Sequence, residues 1–257
     1  MITLKDEEEI KILQEGGKRL SWVLKELIKE TKPGVSAFFL EKLARKLIEK
    51  VGGKPSFLKY QPSFSEKPFP AALCVSVNEV VVHGLPKKEV IFKEGDLVSL
   101  DIGMFYKNLC TDMAYTVVLG KISPKKRKLV ETVKNALKEG IKAAKLGNYL
   151  GDISYAIGKA IRKGDFLPII DLGGHGVGYQ VHEEPFIFNF GKPRTGPKLK
   201  KGMILALEPM AGLKSNAVVE LEDGCFVTLD REVSAHFEQT IAITKKGTIV
   251  ITPFLDF

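Results

Sequence analysis

Cysteine is scarce in this chain of 257 residues: Cys74, Cys110 and Cys225 are the only three, at long spacing and with no CxxC pair. An odd number so spread argues against a disulfide framework and a thiolate zinc site, and it fits a reducing, cytoplasmic compartment. Long apolar runs are lacking too. Stretches such as Met203 to Leu207 and Ala71 to Val75 fall far short of the roughly 18 residues that a membrane span needs, so no crossing of a membrane is expected. Asp6 to Glu9 occupy the place where a secretory signal needs its apolar core, and no organellar address is visible. No Gly/Ser-rich linker interrupts the chain, which predicts a single domain over residues 1–257.

What is present is the balance of a globular protein, 44% hydrophobic and 27% charged. Disordered, collagen-like and coiled-coil chains are excluded by it. The net charge of +8 is spread over scattered lysines, with one tight basic cluster at Lys125, Lys126, Arg127 and Lys128. Such a surface suits solubility first and an acidic partner such as RNA second.

Hydrophobic periodicity divides the chain into two similar halves, about 1–120 and 121–257. A helix is predicted from Asp6 to Glu30, with Thr3 and Asp6 in a capping-box-like arrangement and Ile10, Leu13, Gly17, Leu20, Leu24 and Leu27 along one face. Lys32-Pro33-Gly34 ends it, Ser36 caps a second helix through Leu40, Leu43 and Leu47, and Gly52-Gly53 stops that one. Strands are predicted at Ala72 to Val77, Leu97 to Tyr106 and Ala114 to Leu119. The order then returns. Ser123-Pro124 and Gly151-Asp152 open two helices, and strands follow at Phe166 to Ile170, Met203 to Leu207, Ala217 to Leu221, Cys225 to Leu229 and Thr240 to Thr244. Duplicated helix-helix-strand halves predict an α+β fold with one curved, mainly antiparallel sheet covered by helices on one face.

Three of the four histidines stand in polar or Gly-rich settings: His83 in VNEVVVHGLP, His175 in GGHGVG and His182 in VHEEP. A lone histidine is more often a hydrogen-bonded structural residue than a ligand. Around His175, however, Gly173, Gly174, Gly176 and Gly178 remove side chains, as suits close approach of backbone to a ligand or metal. Asp101 in SLDIG and Asp112 in CTDMAYTVV bracket a predicted hairpin, and Glu208 in ILALEPM and Glu238 in SAHFEQTIAI also lie among apolar residues. A carboxylate in such a strand is costly unless it is paired, hydrogen-bonded or bound to a cation. Four together carry about −4, which two divalent cations would balance. One neutral imidazole with four carboxylates is a hard, oxygen-rich set suited to a pair of Mn, Fe, Co or Zn ions. Two such ions would lower the pKa of a shared water and polarise a carbonyl, so metal-assisted hydrolysis is the predicted chemistry.

With these residues in view, the sequence closely resembles the methionine aminopeptidases in their short type I bacterial form. The resemblance runs from KPGVS through CVSVNEVVVHGLP, the Asp101 to Asp112 spacing of 11, GGHGVGYQVHEEP with a His175 to His182 spacing of 7, LALEPM and SAHFEQT. It implies the duplicated pita-bread fold. It also implies Asp101 as ligand of one metal, Asp112 and Glu238 as bridging ligands, and His175 with Glu208 as ligands of the other. His83 and His182 would face the substrate beside the metals and stabilise the developing oxyanion, and Glu208 matches the residue proposed as general base. Tyr60, Cys74, Val181 and Cys225 are the further substrate-binding candidates. Peptides and nascent chains that begin with methionine are the implied substrates, from which a monomer in transient contact with the ribosome would remove that residue when the second one is small.

Two alternatives accompany this reading: a metal-free ribosome- or RNA-binding module of the same fold, and an Xaa-Pro-type aminopeptidase. Intact ligands oppose the first. The second carries an extra N-terminal domain, and the large insert of the type II enzymes is absent between His182 and Glu208, which are 26 positions apart. Two departures concern specificity: the loop between Tyr60 and Pro70 is longer than the family pattern, and Val181 and Cys225 replace larger aromatic residues found in some members. A looser methionine pocket is the expectation, unless Phe57, Tyr60, Phe64 or Phe69 fills the space.

Overall fold

The computed structural model describes residues 1–61 and 67–254. In the first half, helices α1 (Glu7–Glu30) and α2 (Ala37–Lys50) precede strands β1 (Lys54–Pro55), β2 (Leu73–Val77), β3 (Val80–Val82), β4 (Leu97–Tyr106) and β5 (Leu109–Val118). The second half repeats the order. Helices α3 (Pro124–Ala143) and α4 (Leu150–Lys163) lead to β6 (Leu167–Pro168), β7 (Gly173–Gly176), β8 (Glu183–Phe188), β9 (Ile204–Leu207) and β10 (Met210–Gly212). The remaining strands are β11 (Val218–Glu220), β12 (Phe226–Thr228), β13 (Ser234–His236), β14 (Glu238–Thr244) and β15 (Gly247–Val250).

The start of α1 differs from the sequence expectation. Asp6, not Thr3, is the cap: its carboxylate accepts from the amides of Glu8 and Glu9, while Glu9 accepts in return from the Asp6 amide. Acidic side chains suit the positive end of a helix, and Thr3 is left to bond Glu183 on the other half of the molecule. The predicted apolar stripe is buried, and a Cβ on Gly17 would stand 2.1 Å from the Ile251 carbonyl oxygen. Only glycine lets that helix lie so close to neighbouring backbone. α2 is tied down differently: buried Glu41 accepts from the amides of Ala72 and Leu73, which fixes the entry to β2.

The main sheet has nine strands in the order β1-β4-β5-β14-β9-β7-β8, with β2 on β4 and β15 on β14, and the paired strands run antiparallel. β5 and β14 meet at its centre, where Ala114 faces Glu238, so the two halves of the chain join in one curled sheet. α1 packs on β4 and β5, and α3 on α4, β10, β13 and β14. Two three-stranded sheets, β13-β10-β6 and β11-β12-β3, complete the fold. The duplicated α+β architecture is thus the one expected, although several strand bounds move. β5 starts at Leu109, not at Ala114, so Asp112 lies within the strand. GGHG, where no strand was predicted, is one. A Cβ on Gly173, Gly174 or Gly176 would stand 2.4, 2.2 or 2.2 Å from the carbonyl oxygen of Ile187, Ala206 or Glu184. Those glycines therefore let neighbouring strands approach.

Candidate metal centre

Five carboxylate and imidazole groups arrive on neighbouring strands of the main sheet. Asp101 lies on β4, Asp112 on β5, Glu238 opens β14, Glu208 follows β9 and His175 lies on β7, which is the order of those strands across the sheet. The hairpin explains the first pair. Lys107 and Asn108 both have positive φ, 47° and 65°, and close a two-residue turn, so Asp112 faces Gly103 and Asp101 faces Ala114. Diagonal neighbours two positions apart share a face of an antiparallel pair. Ala114 is also the partner of Glu238, which brings that carboxylate to the same patch.

His175 has its tautomer set by a local bond. Nδ1 lies 2.8 Å from the Gly176 carbonyl oxygen and donates to it, leaving a lone pair on Nε2. That nitrogen is 3.6 Å from Glu208 Oε1 and 4.0 Å from Glu238 Oε1. Donor atoms of Asp112, His175 and Glu238 all lie within 4.8 Å of one another, as do those of Glu208, His236 and Glu238. Asp101 belongs to neither group; it stands opposite Cys74 of β2 and close enough to Asp112 for each to perturb the other.

The electrostatics are those of a site built for cations. Burial, with repulsion between the carboxylates added, pushes Asp101, Glu208 and Glu238 well above the usual carboxylate range. Burial also lifts Asp112 to about 7 and lowers His175 to about 4. Asp101 Oδ1 and Glu238 Oε1 are buried with no hydrogen-bond partner. An unsatisfied buried carboxylate oxygen costs folding energy, and a divalent cation would satisfy both while balancing the charge. These residues therefore fit a resident divalent metal.

The substrate-facing candidates flank this cluster from both halves of the chain. His182 is exposed, its ring centroid 4.5 Å from that of His175 and its Nδ1 3.0 Å from the Tyr60 hydroxyl. His83 follows β3 with φ 60°, packs edge-on against Phe226 and is near enough to His182 and His236 to perturb both electrostatically. Cys74 and Val181 share one buried cluster with Phe57, against which Tyr60 and Phe69 pack. Cys225 lies outside that cluster but near enough to Cys74 to perturb its thiol, and its own thiol donates to the His83 carbonyl oxygen at 3.3 Å. Phe64 lies outside the described residues.

Sequence reasoning passed over the fourth histidine. His236 is 1% exposed, and its Nε2 is 3.3 Å from Glu208 Oε2. Strand periodicity gave no signal for it, because His236 ends β13 and Glu238 opens β14 in a different sheet.

Three comparisons bear on the site. The model of metallopeptidase family M24 matches residues 11–245. A methionine aminopeptidase of Aquifex aeolicus is 46% identical over 254 residues, covering 98% of each chain. The crystal structure of a methionine aminopeptidase from Thermotoga maritima superposes with a TM-score of 0.93 at 42% identity, covering 98% of this chain and 99% of that one. The prolidase of Pyrococcus furiosus shares the fold at a TM-score of 0.76 and 24% identity, but 98% of this chain matches only 66% of that one.

Proposed function

The chain belongs to the methionine aminopeptidases of metallopeptidase family M24, and from that premise we propose that its buried cluster holds two divalent ions, of Co, Mn, Fe or Zn. It is a metal-dependent aminopeptidase that removes the initiator methionine from the N-terminus of its substrates. In our reading Asp101, Asp112, His175, Glu208 and Glu238 would hold the ions, so that both halves of the chain build one catalytic unit. The ions, when bound, supply a Lewis acid for the scissile carbonyl and make water nucleophilic near neutral pH. The protein does the rest. Glu208 takes the proton released by the attacking water, and His83 and His182 approach the scissile amide from opposite halves, donating to the developing oxyanion. Tyr60 orients His182 through its hydroxyl, and Cys74, Val181 and Cys225 are assigned to the substrate side chain. We assign the enzyme to the cytoplasm as a monomer that meets nascent chains at the ribosome; no helix among the described residues is long and apolar enough to cross a membrane.

The convergence of Asp112, His175 and Glu238 donor atoms within 4.8 Å, beside two buried carboxylate oxygens without partners, is the observation that carries the metal assignment. The same unsatisfied oxygens speak against a metal-free binding module. Cleavage of Met-Gly-Met compared with Met-Leu-Met and Met-Pro-Met tests the substrate class. The first peptide is expected to be cleaved much faster than the other two; preference for the Pro-second peptide would favour the Xaa-Pro reading.

A further inference from the structure

We propose that His236 is a positioning residue, which holds the Glu208 carboxylate by donating a hydrogen bond from Nε2 to Oε2 and so reserves Oε1 for a metal ion. The inference rests on the reading of Glu208 as a ligand. His236 ends β13, and its backbone is clamped on both sides by one hydroxyl: its amide lies 2.9 Å from Thr116 Oγ1, and that oxygen lies 2.7 Å from the His236 carbonyl oxygen. Thr116 Oγ1 is in turn 2.8 Å from Ser99 Oγ. The ring therefore leaves a fixed backbone and is buried in a fixed direction. Neither of its nitrogens has a hydrogen-bond partner, and Nε2 stands 3.3 Å from Glu208 Oε2, near enough that a small turn of either side chain would complete a hydrogen bond.

Once Glu208 is ionised, as a metal ligand is, a ring nitrogen that close to its oxygen carries a proton, since lone pair would otherwise face lone pair. A protonated nitrogen cannot also ligate a metal. The two oxygens of Glu208 are thereby divided: Oε2 faces His236, and Oε1 faces His175 Nε2 at 3.6 Å, the nitrogen whose lone pair is free. The glutamate backbone is held as well, because Asn189 Nδ2 donates to the Glu208 carbonyl oxygen at 3.2 Å. Hydrogen bonds to a ligating carboxylate commonly set metal affinity by about 10- to 100-fold.

The rival is that His236 is itself a ligand beside Glu208 and Glu238, and glutamine separates the two readings. A glutamine side chain can place an N–H donor where Nε2 stands, but in place of an imidazole nitrogen it offers a metal only a weakly donating amide oxygen. Metal-free wild type, His236→Gln and His236→Ala are titrated with Mn(II) by calorimetry, with circular dichroism to check folding. We expect the alanine variant to bind at least one equivalent about 10- to 100-fold more weakly, and the glutamine variant to keep both the stoichiometry and, within about tenfold, the affinity. Unchanged binding in the alanine variant, or a glutamine variant as weak as alanine, overturns the proposal. The glutamine result decides alone should the alanine variant fail to fold. Wild type that took up no Mn(II) would remove the metal reading itself, a failure distinct from loss confined to the variants.

Discussion

Asp112 and His182 fall on opposite sides of the proposed division of labour, which single substitutions can test. Asp112 sits inside the cluster, its Oδ1 accepting from the Met113 amide and its backbone bound on both polar atoms by Thr240. Asp112→Ala should lose metal and turnover together. His182, exposed and held by Tyr60, should cost about 10²- to 10³-fold in kcat on replacement by alanine, as the loss of one oxyanion donor does, with Mn(II) content near that of wild type. Emptying of the site in His182→Ala would reverse the assignment. The methionine pocket offers a second contrast. Phe57, Tyr60 and Phe69 pack into the cluster of Cys74 and Val181, so rings stand beside position 181, which has none of its own. A thioether-to-ring contact contributes about 0.3 to 1.5 kcal/mol. Phe57→Ala should therefore lower the preference for methionine over norleucine, measured as a ratio of kcat/KM, by about two- to tenfold, while Cys225→Trp changes it little. The opposite pattern would favour the looser pocket. Among these side chains, the acidic ones and His175 were legible because charge within apolar strands demands a partner. His236 was not, since a histidine is ordinary in a core and only the fold brings it against Glu208.

Among the elements, the most consequential contact that the sequence did not disclose is the one between the N-terminal segment and the loop carrying His182. Lys5 is buried, and its Nζ lies 2.5 Å from Glu183 Oε2, over the ring of Tyr179. The other oxygen of Glu183 accepts from the amides of Tyr179 and Gln180. That arrangement closes the turn immediately before His182. Removing one partner of a buried ion pair strands the other, at about 3–5 kcal/mol. Lys5→Met should thus lose about that much in urea unfolding, and Lys5→Met with Glu183→Gln should recover part of it; a single variant as stable as wild type would show the pair to be idle. Local rules found the four helices and the β4-β5 hairpin, because caps and periodicity are contained in short stretches. They missed β7, since glycines carry no hydrophobic alternation and the strands that pack against them come from elsewhere in the chain. Thr3 likewise looked like part of a helix cap, because its true partner is 180 positions away.

In the whole molecule, the sheet that joins the halves also concentrates negative charge in a protein of net charge +8. The duplicated order was readable from the sequence; the convergence of the carboxylates on one patch was not, because strand order across the sheet is a long-range property. That convergence sets a pH dependence in the metal-free protein. A carboxyl raised by folding stabilises the native state below its unfolded pKa, near 4, and that contribution is lost as pH rises through the folded value, about 7 for Asp112. His175 and His236, lowered to about 4 and about 3, act in the opposite sense, but their effect fades above the unfolded histidine pKa, near 6.5. The Tm of metal-free protein should therefore fall between pH 6.5 and 8. With Mn(II) bound the fall should vanish, because bound metal keeps its carboxylate ligands ionised. A metal-free Tm that rose across this window would contradict the charge assignment.

The most direct test of the central claim is reconstitution. Exhaustive chelation followed by stepwise return of Mn(II), with bound metal and release of methionine from Met-Gly-Met read on the same samples, ties the cluster to the chemistry. Activity is predicted to be absent without metal and to rise with the ions bound, reaching its limit at two equivalents. Undiminished methionine release from rigorously metal-free protein would contradict the account.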